Sequence, residues 1–180
     1  NNIDCIPYDN ENLSEWRNAF KGIKWHDKKT NFIFFGGIDD VWINGNGELH
    51  IVDYKATSKK TFNPNFNTGW EVCYKRQLEI YQWLFKNNGF KVSDIGYIIY
   101  ANGKSNEKKF DCNLTFDEHL YPLVCNTDWI DKVIQDIYKC LKSEELPKSG
   151  GGWNGEGCEQ CAYKKQLAKI MRDHIEKEIK

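Results

Sequence analysis

The spacing of apolar positions changes along the chain, and each change predicts a different element. The clearest helical spacing runs from Trp70 to Asn88, with Gly89 at the position where a helix commonly ends. A second long helix is predicted in TDWIDKVIQDIYKCLKSEE and a short one in NENLSEWRNAFKG, both with polar residues available as caps. A charged terminal helix, opened by the cysteine pair in CEQC, completes the helical set.

Strand-like segments fill the space between these helices. NFIFFGGIDDVWIN and ELHIVDYKA flank the turn-rich Asn44–Gly47 and predict one long β-hairpin. DIGYIIYANG predicts a buried strand, and KKFDCNLTFDEHLYPLV predicts one or two edge strands interrupted by Pro122. The order indicates an α/β fold with a mixed central β-sheet flanked by helices, in which the long helix returns the chain to a strand lying parallel within the sheet.

Composition narrows the class of protein. With 180 residues, one domain is expected: a main domain over 1–146, followed at 147–180 by a glycine-rich connector and a CxxC-containing helix packed on the same domain. No apolar run approaches the roughly 20 residues of a membrane span, so no membrane partner is expected. Seven cysteines, an odd number, favour a reducing, cytoplasmic setting. The net charge of -1 gives no global attraction to nucleic acid, which leaves local patches such as Lys59, Lys60, Lys104, Lys108 and Lys109.

Charged residues interrupt the second strand of the predicted hairpin. The strand period of two places Asp53 and Lys55 on one face. A two-residue loop at Gly45-Asn46 would pair position 39 with 52, whereas a three-residue loop from Gly45 to Gly47 would pair Asp39 with Asp53. In the second register two like charges face each other, which is destabilising unless a cation lies between them.

Hard carboxylate oxygens suit Mg²⁺ or Mn²⁺, and the backbone carbonyl of Tyr54 could add a third ligand. Lys55 would then lie beside the metal, so the arrangement indicates metal-assisted phosphodiester hydrolysis. Glycines 36 and 37 would leave the backbone room for a substrate beside Asp39, while Asp40 should point to the opposite face. The alternative is a solvated, salt-bridged strand face without chemistry.

The motifs Gly36-Gly37-Ile38-Asp39, Asp53-Tyr54-Lys55 and Gln77-Leu78-Glu79-Ile80-Tyr81 together resemble the PD-(D/E)XK nuclease superfamily, in its RecB-like branch. The resemblance implies a restriction-endonuclease-like core of order αβββαβ. It implies metal-binding by Asp39 and Asp53, catalysis by Lys55, and an accessory pair at the active site, Gln77 and Tyr81. It further implies a Mg²⁺- or Mn²⁺-dependent deoxyribonuclease, with DNA favoured over RNA as the partner. The alternative is a catalytically silent module of the same fold that binds nucleic acid or protein.

Two further features of the sequence extend the resemblance. The family often uses a site residue on an upstream helix, for which Glu11, Glu15 and His26 are candidates. Cys158 and Cys161 resemble C-terminal cysteine elements that bind an iron-sulfur cluster in some RecB-like nucleases, and zinc is the other candidate. Both groups need four ligands and no cysteine follows Cys161, so a tentative second metal site and two free thiols both stay open.

Basic residues near these motifs are candidates for contact with phosphates. They are Lys75 and Arg76, which precede Tyr81 on the long predicted helix, and the segment from Ser58 to Lys60 that follows Lys55. An ordinary solvated surface is the alternative for all of them.

Overall fold

The structure is a computed structural model, which describes residues 3–106, 109, 112–145, 147, 150–151 and 157–178, with side chains to 175. The strands are β1 (Cys5–Pro7), β2 (Ile23–Asp27), β3 (Phe32–Gly36), β4 (Asp40–Asn44), β5 (Leu49–Thr57), β6 (Ile95–Gly103) and β7 (Phe116–Val124). The helices are α1 (Leu13–Trp16), α2 (Val72–Asn87), α3 (Asp128–Lys142) and α4 (Glu159–Glu178).

Five of the strands form one mixed sheet in the order β1-β4-β5-β6-β7. β5 and β6 are parallel, whereas β1–β4, β4–β5 and β6–β7 are antiparallel. The parallel pair is joined by α2, as a crossover connection requires. The predicted α/β fold with a mixed central sheet is therefore confirmed.

The sheet face covered by α2 is the main apolar core. Leu78 and Phe85 of α2 are fully buried, as are Ile51 of β5 and Ile98 of β6. Gly96 lets the helix come close to the sheet, because a Cβ at that position would lie 3.1 Å from Leu78 Cδ1. Burying a large apolar side chain contributes about 1.5–3 kcal/mol. This packing fixes the position of α2, and hence of the polar side chains near its start, above β5.

The prediction of one long strand before the Asn44–Gly47 turn is wrong, because this segment forms two separate strands, β3 and β4. β3 pairs with β2 in a separate two-stranded sheet, and β4 begins only at Asp40. The break follows from a close crossing at Gly22, which has φ +57 and at which a Cβ would lie 2.3 Å from Gly36 O. The N–H of Ile38 also donates to Trp16 O at 3.0 Å, which draws the chain away from β3. The strand β2 was not predicted, and α1 is only four residues long.

The prediction that Pro122 interrupts the last strand is also wrong, because β7 continues through Pro122. Pro122 lies opposite Tyr97 in the β6–β7 ladder. β7 is an edge strand of its sheet, and an edge strand has one row of backbone positions that need no ladder donor. Proline at such a position does not divide the strand.

The chain forms two compact units, Asn1–Gln135 and Asp136–Lys180, with the boundary inside α3. In the first unit, Trp83 Nε1 donates to Asp131 Oδ1 at 2.9 Å and ties α2 to the start of α3. The predicted glycine-rich connector lies largely outside the described residues, and the packing of segment 147–180 on the main domain stays a prediction. In the described part of the chain we find no helix with the length and apolarity needed to span a membrane.

Candidate active site

The loop between β4 and β5 decides which residues of the hairpin face each other. Asn44 N–H donates to Glu48 O at 3.1 Å, which closes a loop of three residues. The side-chain Oδ1 of Asn44 accepts from the backbone N–H groups of Asn46 and Glu48 at 3.0 and 2.9 Å. Asp40 pairs with Val52 in the resulting ladder, so the next position outward brings residue 39 opposite residue 53. Of the two predicted registers, the three-residue loop is the one that forms.

Asp39 and Asp53 lie on the same side of this hairpin in different environments. Asp39 is exposed at the entry to β4, and its Oδ2 accepts the backbone N–H of Tyr54 at 2.8 Å. Asp53 is only 1% exposed. Burial raises the pKa of Asp53; the ion pair with Lys55 opposes the increase, and the charge of Asp39 adds to it. The two carboxylates therefore interact, and one of them is largely removed from water.

Lys55 connects the carboxylates to α2. Its ammonium forms an ion pair with Asp53 Oδ2, donates to Gln77 Oε1 at 3.2 Å and lies 4.7 Å from the centre of the Tyr74 ring. Gln77 Nε2 in turn donates to the Tyr81 hydroxyl at 3.1 Å. Gln77 and Tyr81 are four residues apart and share one helix face, as predicted. The structure thus brings all five predicted side chains into one connected network.

Gly36 and Gly37 do not leave room for a substrate, which corrects the expectation from the sequence. A Cβ at Gly36 would lie 2.6 Å from Tyr81 Cε1, and one at Gly37 would lie 3.0 Å from Ala19 Cα. The space beside each glycine is therefore filled by the protein itself. Gly36 instead allows the Tyr81 ring to pack against the backbone, where its hydroxyl reaches Gln77.

Asp40 lies on the opposite face of β4, as predicted. Its Oδ1 accepts from Arg17 Nη2 at 2.6 Å and from the N–H of Val41 at 2.8 Å. Its Oδ2 accepts from the Tyr54 hydroxyl at 3.0 Å. Burial, together with the hydrogen bond to Asp40, raises the pKa of Tyr54 to about 12, so the phenol keeps its proton and donates. Asp40 is therefore not part of the carboxylate pair formed by Asp39 and Asp53.

Two residues of this region were missed by sequence reasoning. Tyr74 lies three positions before Gln77, and that spacing, which places both on one helix face, is the signal that could have identified it. Arg17 follows α1 directly, and nothing in the local sequence marks it as a partner of Asp40.

The upstream candidates do not join the carboxylate pair. His26 contacts Asn31 Oδ1 at 2.8 Å and Lys28 Nζ at 3.1 Å, both within the β2–β3 hairpin and its turn. Glu11 and Glu15 are exposed. Within the described residues, no group of three or more His, Cys, Asp or Glu side chains is placed to hold a metal ion. A cation at this site would therefore rely on two carboxylates and backbone or water oxygens.

The donor set nevertheless fits a hard divalent cation. Two carboxylates with water and a carbonyl oxygen match the ligands that Mg²⁺ and Mn²⁺ prefer. Asp53 Oδ2 is buried and accepts no well-aligned hydrogen bond, its close contact being the ion pair with Lys55. A buried carboxylate oxygen of this kind is a suitable metal ligand, because it has lone-pair capacity that no hydrogen bond uses.

Cys158 and Cys161 lie at the start of α4. The backbone N–H of Cys161 donates to Cys158 Sγ at 3.4 Å, and this bond, together with the Cys161 thiol, lowers the pKa of Cys158. All seven cysteines are free thiols. No metal-binding cluster among the described residues includes the pair, so the predicted iron-sulfur cluster or zinc has no support.

A cavity of about 680 Å³ lies at the carboxyl ends of the parallel strands β5 and β6. Its lining includes three lysines, Lys59, Lys60 and Lys104, and one carboxylate, Asp117, which forms an ion pair with Lys104 at 3.0 Å. Asn102, which is 9% exposed, accepts the N–H of Lys59 at 2.9 Å and donates to its carbonyl at 3.1 Å. This pair of hydrogen bonds to the Lys59 backbone holds the lysine-bearing loop in place. Lys108, another predicted basic residue, lies outside the described residues.

Fold and site together define an α/β protein that carries two carboxylates and a lysine on one side of a β-hairpin. The chain belongs to the PD-(D/E)XK nuclease superfamily, whose sequence profile matches residues 8–166. No curated protein matches the chain. A solved structure described as the crystal structure of SSO0001 aligns with 63% of this chain at 20% identity and a TM-score of 0.34. The chain spans 44% of that structure's length.

Proposed function

We propose that this chain is a RecB-like nuclease that uses Mg²⁺ or Mn²⁺ to hydrolyse phosphodiester bonds in DNA. The observation that carries the proposal is the network of Asp39, Asp53 and Lys55 on one side of the β4–β5 hairpin. A solvated salt-bridged face would not explain a carboxylate that is 1% exposed and paired with a lysine held by α2. Burying such a pair costs solvation free energy, and functional sites are where proteins commonly accept that cost.

In the proposed site, Asp39 and Asp53 supply carboxylate ligands and Tyr54 supplies its backbone carbonyl. The bound cation would stabilise negative charge on the phosphoryl group and lower the pKa of a water molecule. Asp53 is held by the sheet, while Asp39 is exposed and oriented by the Tyr54 N–H. One rigid and one accessible carboxylate suit a site that must both hold a cation and admit a phosphate.

Lys55 is the proposed catalytic cation. Its ammonium would orient the attacking water or offset the negative charge that develops on the phosphoryl oxygens. The Gln77 amide, held by the Tyr81 hydroxyl, and the Tyr74 ring restrict where this ammonium can lie. Gln77 and Tyr81 therefore act in the proposal by positioning Lys55, and Tyr74 joins them.

DNA is favoured over RNA because of the RecB-like motifs, and the basic cavity offers a path for its backbone. Lys59 and Lys60 follow Lys55 closely along the chain, and Lys104 follows Tyr100, the residue that pairs with Lys55 in the sheet. Strands rise about 3.3 Å per residue, so these lysines lie within reach of phosphates near the one being cleaved.

Seven free thiols are consistent with a reducing compartment, and we propose the cytoplasm.

The test is a cleavage assay on single- and double-stranded DNA, linear and circular, and on RNA, with Mg²⁺, Mn²⁺ or a chelator. We expect metal-dependent cleavage of DNA that Asp39→Ala, Asp53→Ala and Lys55→Ala each abolish. Asp94→Ala is the matched control, because it removes a carboxylate from an exposed ion pair with Lys86.

Two results would contradict the proposal in different ways. If the site variants cut as fast as the parent protein, the residues are assigned wrongly. If the parent protein binds DNA and cuts none of the substrates with either metal, the catalytically silent binding module replaces the nuclease.

A further inference from the structure

Asp40 is adjacent in sequence to a proposed metal ligand, yet all its partners lie on the other face of the hairpin. Its side chain is 11% exposed and accepts three hydrogen bonds, from Arg17, the Val41 N–H and the Tyr54 hydroxyl. A buried carboxylate with this many donors is held in a single orientation. The segment after α1 is thereby joined through Arg17 to the start of β4.

Tyr54 lies between Asp53 and Lys55 in sequence and is fixed at two points. Its backbone N–H donates to Asp39 Oδ2 at 2.8 Å, and its hydroxyl donates to Asp40 Oδ2 at 3.0 Å. Asp39 and Asp40 are consecutive, so these two hydrogen bonds attach the start of β4 to β5 on both faces of the sheet. Rotation or displacement of Tyr54 would move the Asp39 carboxylate and the Tyr54 carbonyl together.

We propose that Asp40 is a positioning residue for the metal site, acting through the Tyr54 hydroxyl. It fixes the peptide of Tyr54 and so sets the separation between the Asp39 carboxylate, the Tyr54 carbonyl and the Asp53 carboxylate. Arg17 holds the Asp40 carboxylate in place through its contact with Oδ1. The inference rests on the proposed function, because it takes these three oxygen groups as ligands of the same cation. Removing a group that orients a metal ligand typically weakens metal affinity or activity by about 10- to 100-fold.

The test is calorimetric titration of the protein with Mn²⁺ in the absence of nucleic acid, next to a cleavage assay. Tyr54→Phe removes only the hydroxyl of a side chain that is about half exposed, and Asp40→Asn removes the charge. We expect each variant to bind Mn²⁺ about 10-fold more weakly than the parent protein. Tyr54→Phe should show this loss of affinity while its melting temperature stays close to that of the parent protein. The double variant should be no weaker than Asp40→Asn alone, since in this proposal both changes act through the bond between Asp40 and the Tyr54 hydroxyl. Asp94→Asn, which opens the exposed pair with Lys86, is the control and should bind Mn²⁺ like the parent protein.

The outcomes separate this inference from the function on which it rests. The inference is overturned if Tyr54→Phe binds Mn²⁺ and cleaves like the parent protein, or if the losses in the two single variants multiply in the double variant. Asp39→Ala and Asp53→Ala are titrated alongside. If these two variants also bind Mn²⁺ as tightly as the parent protein, the metal assignment itself is wrong and both proposals fall. Should Asp40→Asn not fold, Tyr54→Phe alone still decides the matter.

Discussion

At the scale of single residues, Asp53 and Lys55 form an ion pair whose burial makes each partner important for stability. The Asp53 side chain is 2% exposed and that of Lys55 is 18% exposed, so removing the lysine would leave a carboxylate buried without a counter-charge. We expect Lys55→Met to lower the free energy of unfolding by about 3 kcal/mol, in line with broken buried ion pairs in other proteins. Urea denaturation followed by circular dichroism measures this.

The control for this prediction removes both charges. The double variant Asp53→Asn, Lys55→Met should recover most of the stability, because neither partner is left charged and unpaired. It should stay inactive in cleavage. Asp94→Asn, in an exposed pair, should change stability by less than about 1 kcal/mol. A double variant less stable than Lys55→Met would contradict this account.

The cysteines differ in reactivity because their surroundings differ. Burial raises the pKa of Cys125 to about 11, whereas the Cys161 N–H and thiol lower the pKa of Cys158. The thiolate is the reactive form, so near neutral pH we expect iodoacetamide to modify Cys158 before Cys125. Peptide mass spectrometry after a short pulse of reagent measures the two rates. In denaturant the rates should converge, and equal rates in the native protein would argue against the prediction.

At the scale of elements, the packing of α2 on β3 places Lys55. Gly36→Ala would introduce a Cβ at 2.6 Å from Tyr81 Cε1, so the ring must shift, and this moves its hydroxyl relative to Gln77. We expect slower cleavage, since Gln77 then holds Lys55 less firmly, and a stability loss of about 1–3 kcal/mol from overpacking. Cleavage kinetics and urea denaturation measure the two effects.

Gly45→Ala is the matched control for this change. At Gly45 the nearest atom to an added Cβ is Asp4 Oδ2 at 3.5 Å, an ordinary contact. This variant should retain both stability and cleavage. If Gly36→Ala cleaves as fast as Gly45→Ala, then Tyr81 and Gln77 do not position Lys55.

The hairpin also shows what the sequence can and cannot predict. Strand period and turn residues reduced the register to two alternatives, and the side chain of Asn44, through its bonds to Asn46 and Glu48, selects one of them. The break between β3 and β4 could not be predicted, because it depends on contacts distant in sequence, Gly22 with Gly36 and Trp16 with Ile38. For the same reason Arg17 could not be identified as a partner of Asp40.

At the scale of the whole molecule, the topology of the sheet concentrates basic residues in one place. The parallel strands β5 and β6 end at the same edge, and the loops that follow them carry Lys59, Lys60 and Lys104. Ligands of α/β proteins commonly bind outside the carboxyl ends of parallel strands. With a net charge of -1, the chain has no overall attraction to a polyanion, so any attraction must come from local groups such as these.

This concentration of charge leads to a prediction for binding, separate from cleavage. Lys60→Ala combined with Lys104→Ala should weaken the affinity for single-stranded DNA to a similar extent for all base sequences, because interactions with phosphates carry no sequence information. The slope of log affinity against log salt should become shallower by about 0.7 for each phosphate that the variant no longer neutralises. Fluorescence anisotropy with labelled oligonucleotides in the presence of chelator measures binding without cleavage. Lys86→Ala and Lys91→Ala, which remove cations paired with Asp94 and Glu48, form the matched control. Equal slopes in the two double variants would show that the strand follows another path across the protein.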